Sequence, residues 1–428
     1  MHGSHGDLDL SIENVAKIEG HTNLDIVVRG GQVMDVKLKI SENKRFYTQA
    51  IRGKPFASMP QLVSRICGTC SIAHLTCCIE AVENALHFDP SPQTTLLRRL
   101  ALAGLMIRDH ALHLYFFSLP DVLGIDSVLE LADSNPALVK TAFEVKAAGN
   151  ALSTLVSGRA IHGTIQMVGG FANVPTREQS AAVLAKLKAV RPAVLDLIKV
   201  YAEWPETFLS ESNYVALVTQ NYDFLEGEIM DSRGVCVPEK HFWNHLNRVI
   251  IPYSNATGFQ FEGQPYKVGA LARMNLNRGK LHRDTRASAS DSLKLFPSKN
   301  VFHNNLAQAI EVLHCLDSAV EILESTDFRK EPVPRLAPRA GEGIGVIEAP
   351  RGILYYLLEL DKAGNVVWGN LVIPSAQNQI NMERDIGDFL PKLLGQPKEE
   401  IAYALEKLIR AYDPCMSCAT HFLKVNWL

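Results

Sequence analysis

The sequence predicts an α+β protein, mainly helical, built as one large unit with a β-hairpin near each end beside a buried metal site. Three observations carry this. Apolar residues recur at helical spacing through six long stretches, and two short alternating segments flank glycine-containing turns. Two Cys-x-x-Cys pairs, Cys67/Cys70 and Cys415/Cys418, stand near opposite ends of the 428 residues.

Taken in order, Leu24, Ile26 and Val28 alternate with other residues, Gly30-Gly31 supply a turn, and Val36, Leu38 and Ile40 alternate again, a hairpin pattern. Helical periodicity covers about 68–86, 95–118, 138–158, 178–208, 303–326 and 398–412, so the middle of the chain reads as mainly helical. The Pro/Gly-rich stretch 328–350 reads as a connecting loop. Beyond it, 353–360 and 366–373 form a second hairpin around Asp361–Asn365. Arg351 and Ser375 each lie 12 residues from Ala363 (363 − 351 and 375 − 363), so the open end of that hairpin makes them neighbours. No internal repeat, heptad or low-complexity tract interrupts the pattern, and 1–428 is expected to be one unit.

Composition narrows the class. With 47% hydrophobic and 21% charged residues the chain can bury a large core. Its 43 basic and 46 acidic residues are spread evenly, to a net charge of −3, which gives no nucleic-acid or anionic-membrane surface. Residues 1–7 lack the basic and apolar regions of a secretory signal, so self-directed export is not expected. The uncharged segment 160–176 is broken by three glycines and makes a poor membrane-spanning helix. Eight cysteines without such a signal point to thiols and metal ligands in a reducing compartment.

Within each Cys-x-x-Cys pair, a helix start would turn both thiols to one centre and would lower the pKa of Cys67 through its amide ends. On residue type alone, four thiolates most often mean structural zinc or an iron–sulfur cluster. Local zinc modules keep their pairs within tens of residues, whereas Cys67 and Cys415 are 348 apart (415 − 67), which joins both ends of a fold around one buried centre.

The stretch Arg65 to His74, Arg-x-Cys-Gly-x-Cys-x-x-x-His, and the terminal Asp413 to His421, Asp-Pro-Cys-x-x-Cys-x-x-His, resemble the two signatures of nickel–iron hydrogenase large subunits. Further matching segments are Ala16–His21, Asp109–Tyr115, Gly158-Arg159 with His162, Asn304–Ala309 and Glu348–Gly352, so the likeness runs the length of the chain. Its length and later motifs are most similar to the cytoplasmic, cofactor-coupled hydrogenases, including the sulfhydrogenase type.

The resemblance implies reversible, heterolytic cleavage of dihydrogen. Cys67 and Cys415 would be terminal nickel ligands, and Cys70 and Cys418 would bridge nickel to an iron carrying two cyanides and one carbon monoxide. Cys415 would take the proton and Glu19 would pass it on, a task suited to a buried carboxyl. Arg351 would stand near the gas-binding position with Asp109 as its partner, and Pro374 and Ser375 would lie over the diatomic ligands. His74, four residues after Cys70, would hydrogen-bond a bridging sulfur. His113 would be structural. Cys77, Cys78, Cys236 and Cys315 have no partners at metal-ligand spacing and read as inert thiols.

His421 would hold a magnesium ion at the end of the mature subunit, with residues 422–428 a short extension removed by a maturation endopeptidase. Two positions depart from the family. Thr48 stands where relatives have a metal-binding glutamate, which puts magnesium in question, and Gly163 follows His162 where relatives often carry proline. No cysteines remain for an electron-transfer cluster and no dinucleotide-binding glycine pattern follows a strand. An iron–sulfur small subunit is therefore implied, with a flavin/nicotinamide or deazaflavin module beyond it. The alternative is a hydrogen-sensing subunit with the same centre. The related quinone-pocket subunit of respiratory complex I lacks the cysteine pairs that this chain has.

Overall fold

Near the N-terminus, β1 (Leu8–Ile12), β2 (Thr22–Arg29) and β3 (Gln32–Ile40) form an antiparallel sheet in that order. The computed structural model describes residues 7–42 and 46–420, so His421 and residues 422–428 lie outside the described residues. Gly30 and Gly31 both have positive φ, as a two-residue hairpin turn requires, and Leu24, Ile26 and Val28 are all but fully buried.

Four long helices follow: α1 (Ser71–Leu86), α2 (Pro92–Ala111), α3 (Pro136–Ser157) and α4 (Arg177–Glu203). Three of the four starts are capped by side chains, Ser91 for α2, Asn135 for α3 and Thr176 with Gln179 for α4, which satisfies amides that a helix leaves free. Past Ala111 the chain widens into a π-helix, Leu112–Ser118. A fifth long helix, here α6 (His303–Ser325), packs against α2 and α4. Helix α1 is buried on almost every face, as expected of a central core helix.

The expectation of a mainly helical middle fails between 213 and 267. There β4 (Asn213–Val218), β5 (Glu228–Asp231) and β6 (Cys236–Pro238) form one sheet, which β9 (Tyr266–Lys267) extends in parallel, and β7 (Leu246–Ile250) pairs with β8 (Thr257–Phe261). Tyr214 to Leu217 are buried in succession, so β4 shows no period-2 alternation to read. The short helix α5 (Ala270–Asn277) leads from this region towards α6.

The expected loop 328–350 is a loop only as far as 340. Gly341–Ala349 is a strand, β10, antiparallel to β11 (Gly352–Leu360), which pairs with β12 (Val366–Val372). Glycine punctuation in β10 has a packing cause. A Cβ on Gly341, Gly343 or Gly345 would come within 2.3 Å or less of the carbonyl oxygens of Ala85, Ala81 or Cys77 on α1. Only glycines let this strand lie directly on the helix that carries the first cysteine pair. A bulge at Glu359/Leu360 sets Tyr355 opposite Val372, half a residue from the symmetric register expected about Ala363.

Helix α7 (Pro374–Phe389) confines its apolar stripe to Met382, Ile386 and Phe389, and buried polar residues in its first half tie it to neighbouring segments. Gln379 donates to the Leu38 carbonyl, Asn378 binds both backbone groups of Val268, and Gln377 donates to the Ile353 carbonyl. Helix α8 (Lys398–Ala411) then brings the chain back beside β1. Among the described residues no helix is long and apolar enough to cross a membrane.

Candidate metal centre

Cys67 is extended and follows a short 3-10 turn, while Cys70 occupies the N-cap of α1. The helix end expected at Cys67 is thus at Cys70, with Gly68-Thr69 between them. Cys415 is likewise extended, at the N-cap of the single turn Met416–Ala419 that contains Cys418. The two pairs face one another. Cys67 Sγ is 3.4 Å from Cys415 Sγ and Cys70 Sγ is 3.0 Å from Cys418 Sγ, and all four sulfurs lie within 4.8 Å of one another.

All four are buried and none forms a disulfide. By themselves these thiols favour one thiolate: the Cys415, Cys418 and Cys70 thiols hold Cys67 well below its ordinary pKa, whereas burial pushes Cys415 up. Four thiolates in so small a volume need a multivalent cation to balance them, and soft sulfur donors select nickel, iron, zinc or copper.

Two segments carry the remaining groups. The loop before β2 reaches the sulfurs with Glu19, whose Oε2 is 3.0 Å from Cys415 Sγ and accepts the Ser417 amide at 3.1 Å. Its backbone oxygen accepts the Met416 amide. Burial, then the Cys67 charge, raises the Glu19 pKa. A side chain at Gly20 would meet the Ser417 nitrogen at 2.8 Å, so glycine there permits the approach. The loop is anchored from behind, because Arg410 donates to the Ala16 carbonyl and to both oxygens of Asp121, which also binds Lys17.

From the turn between β10 and β11 comes Arg351. Its terminal nitrogens donate to both Asp109 oxygens at 3.0 and 3.2 Å and to Asp413 Oδ1 at 2.9 Å, while Nε has no hydrogen-bond partner among the described residues. Burial opposes its charge, but Asp109, Asp413 and Cys415 outweigh that and hold the guanidinium protonated. Ser375 Oγ accepts the Cys415 amide at 2.8 Å. Arg351, Ser375 and Pro374 share a recess of about 10 Å³ with Cys70, Cys415 and Cys418, closed by Ala349, Leu354 and Ile373. His74 also lines it and shares a 2.7 Å hydrogen bond with the Tyr356 hydroxyl.

The family model described as nickel-dependent hydrogenase matches residues 47–141 and 238–421. Sulfhydrogenase 2 subunit alpha of Pyrococcus furiosus is 33% identical over 421 residues, 97% of this chain and 100% of the relative.

The chain belongs to the nickel-dependent hydrogenase family.

Subunit beta of the NAD-reducing hydrogenase HoxS of Cupriavidus necator is 28% identical, covering 97% of this chain and 95% of its own. In fold, the chain matches an NAD+-reducing nickel–iron hydrogenase in its H2-reduced state (TM-score 0.85, 24% identity, 97% of this chain and 99% of that one). It also matches the nickel–iron–selenium hydrogenase of Desulfovibrio vulgaris Hildenborough (TM-score 0.79, 23% identity, 98% and 100%). The protein is accordingly a hydrogenase large subunit, an oxidoreductase acting on dihydrogen. Its four buried thiols suit nickel and iron. Larger cavities of 600 and 810 Å³ are not lined by any of the four clustered cysteines, and a diatomic substrate has no need of them.

Of the expected site residues, the four cysteines, Glu19, Asp109, Arg351, His74, Pro374 and Ser375 converge here. His421 lies outside the described residues, and Thr48 sits half-buried on the short helix Tyr47–Ala50 without a carboxylate to offer. Sequence reasoning passed over Asp413 and Arg108. Asp413 sits just ahead of Pro414 in the second signature and shares Arg351 Nη2 with Asp109; it also accepts from Gln308. Arg108, next to Asp109, donates to the Thr69 carbonyl between the first two cysteines.

Proposed function

We propose that this chain is the catalytic subunit of a heteromeric nickel–iron hydrogenase that cleaves and forms dihydrogen reversibly. The observation that carries the mechanism is the Glu19 carboxylate 3.0 Å from one of four clustered cysteine sulfurs. Cys67 and Cys415 would hold nickel, and Cys70 and Cys418 would hold nickel and iron. When bound, that centre, with two cyanides and one carbon monoxide on iron, would supply the Lewis acid and the electron acceptor for splitting dihydrogen.

This chain's residues manage the proton and the surroundings. Cys415 Sγ accepts a proton and passes it to Glu19 Oε2, whose pKa burial raises, which favours its holding that proton. The Ser417 amide fixes that carboxylate in place. Arg351, clamped by Asp109 and Asp413, sets a fixed positive charge over the recess and cannot drift towards solvent. Ser375 orients Cys415 through its amide, His74 and Pro374 flank the place of the diatomic ligands, and apolar walls exclude water.

Electrons leave through an iron–sulfur small subunit to a flavin/nicotinamide or deazaflavin module, in the cytoplasm. Residues 1–428 form one unit, and a maturation endopeptidase removes 422–428. With Thr48 in place of a carboxylate, a magnesium site at His421 would lack one of the ligands that relatives supply. Infrared spectroscopy of the purified complex tests the centre: two cyanide bands and one carbonyl band are expected, and a flat window with bound zinc refutes it. Rapid hydrogen-dependent reduction of an artificial dye is expected of a catalyst. Very slow turnover at an intact centre would favour a sensor.

A further inference from the structure

Behind the metal centre lies a buried ionic cluster that the mechanism above does not use. Its middle is Arg273 on α5, 1% exposed. All five guanidinium donors are engaged. Nε and Nη2 bind the two oxygens of Glu311 at 2.6 and 2.7 Å, and Nη1 binds Glu348 Oε2 at 2.7 Å. The remaining donors reach the backbone oxygens of Ala349, from Nη1 at 3.1 Å, and Pro350, from Nη2 at 3.0 Å. Lysine has one nitrogen and could not hold two carboxylates and two carbonyls in these directions.

The outer ends of the cluster matter most. Glu311 Oε2 is 2.9 Å from His110 Nε2, and His110 adjoins Asp109 on α2. Pro350 adjoins Arg351. The cluster thus grips the neighbours of both members of the Asp109–Arg351 pair, one through Glu311 and one through Arg273. Its far side is anchored too: Tyr222 donates to Glu311, and Glu348 accepts the Leu217 amide at 2.9 Å. Buried ion triads add little net stability over apolar side chains of equal volume. What a fully bonded triad supplies is fixed distance and direction, here between α2 and the β10–β11 turn.

We propose that Arg273, held between Glu311 and Glu348, is a positioning residue that sets where the Arg351 guanidinium stands beside the four cysteines. The proposal rests on the role given above to Arg351. An error of about 1 Å in a charged group near the chemistry is worth up to about 100-fold in rate. A residue acting only through Arg351 has nothing left to position once Arg351 is changed.

The test is a double-mutant cycle in the heteromeric holoenzyme, with Arg273→Lys, Arg351→Lys and the pair together. Hydrogen-dependent dye reduction and the infrared bands of the diatomic ligands are read in each. Arg273→Lys is expected to lower kcat about 10- to 100-fold with KM for dihydrogen within about twofold. It should shift the infrared bands in the same direction as Arg351→Lys. The double variant should be no slower than Arg351→Lys alone. Losses that multiply, or an Arg273→Lys enzyme with unchanged kcat and bands, would overturn the proposal. Should Arg273→Lys fail to fold, Glu348→Gln takes its place in the cycle, with a smaller loss and the same non-additivity expected, and multiplied losses again refuting. The wild-type spectrum separates the two levels: missing cyanide and carbonyl bands would sink the underlying metal-centre reading itself, whatever the cycle shows.

Discussion

Replacing Glu19 with glutamine removes a proton acceptor while leaving its surroundings nearly intact. The amide oxygen can still accept from Ser417 N, 3.1 Å from the present carboxylate, and the side chain keeps its length against Cys415 Sγ at 3.0 Å. What is lost is proton transfer by a positioned carboxyl, worth about 10²- to 10⁴-fold, or ~3–5 kcal/mol of barrier. Because the uncharged amide ends the cost of burying a carboxylate, folding and metal insertion should be unimpaired. The assays are dye-linked hydrogen oxidation, exchange of deuterium gas with water, and the infrared spectrum of the metal ligands. Turnover and exchange should fall together while the bands stay. A Glu19→Gln enzyme with normal bands that keeps turnover within about threefold of wild type would remove Glu19 from the route, since that is far below what a proton relay supplies. Glu19→Asp, one methylene short of the sulfur, is expected to fall between the two.

Ser375→Ala leaves the buried Cys415 amide without its 2.8 Å acceptor, at a cost of about 1–3 kcal/mol, to be read in thermal unfolding and in lowered nickel occupancy. Gly343→Ala would place a methyl 2.0 Å from the Ala81 carbonyl and force β10 off α1; we expect about 1–3 kcal/mol or more of destabilisation, seen as low soluble yield. Burial raises Glu239 to about 7, so it binds a proton in the fold that it would have lost in the unfolded chain. Its contribution therefore declines as pH rises from its ordinary value of 4.5 to about 7. Glu239→Gln should be the more stable protein at pH 8 by on the order of 1 kcal/mol after solvent screening, with the gain gone at pH 4; equal gains at both would refute this.

Local spacing made the site legible where chemistry sits in short segments. Both cysteine pairs, His74, Glu19 and Asp109 stand in runs whose neighbours are equally specific, and the spacing of the C-terminal hairpin alone makes Arg351 and Ser375 neighbours. Structure held by non-local packing was not legible. Strand β4 is buried on both faces, so it carries no alternation, and the first half of α7 is polar where a core helix is expected to be apolar, because its amides bond to β3, to β11 and to Val268 just past β9. The glycines of β10 read as a loop because their purpose, contact with the α1 backbone, lies some 260 residues away in sequence. Asp413 and Arg273 were passed over for the same reason, since their partners lie on other elements.

That contrast bears on how a fold of this size serves so small a substrate. The sulfurs come from two turns 348 residues apart, and a centre assembled that way has the positional precision of the packing between its ends (415 − 67). Each end is fixed independently. The first pair begins α1, the helix on which β10 lies, and the second is tied to the N-terminal loop through Glu19, Met416 and Ser417. Arg351 joins the two, since it projects from the β10–β11 turn and binds Asp413 just before the second pair. Errors in β10 packing should therefore reach the chemistry through Arg351 before they reach the cysteines. A weakened β10–α1 contact should lower turnover while nickel is still bound, whereas a weakened Glu19–Ser417 contact should disturb the cysteine cluster directly and lower nickel occupancy with activity. Nickel content and specific activity measured together on variants of the two contacts distinguish these outcomes, and a β10 variant that lost nickel in step with activity would contradict this order.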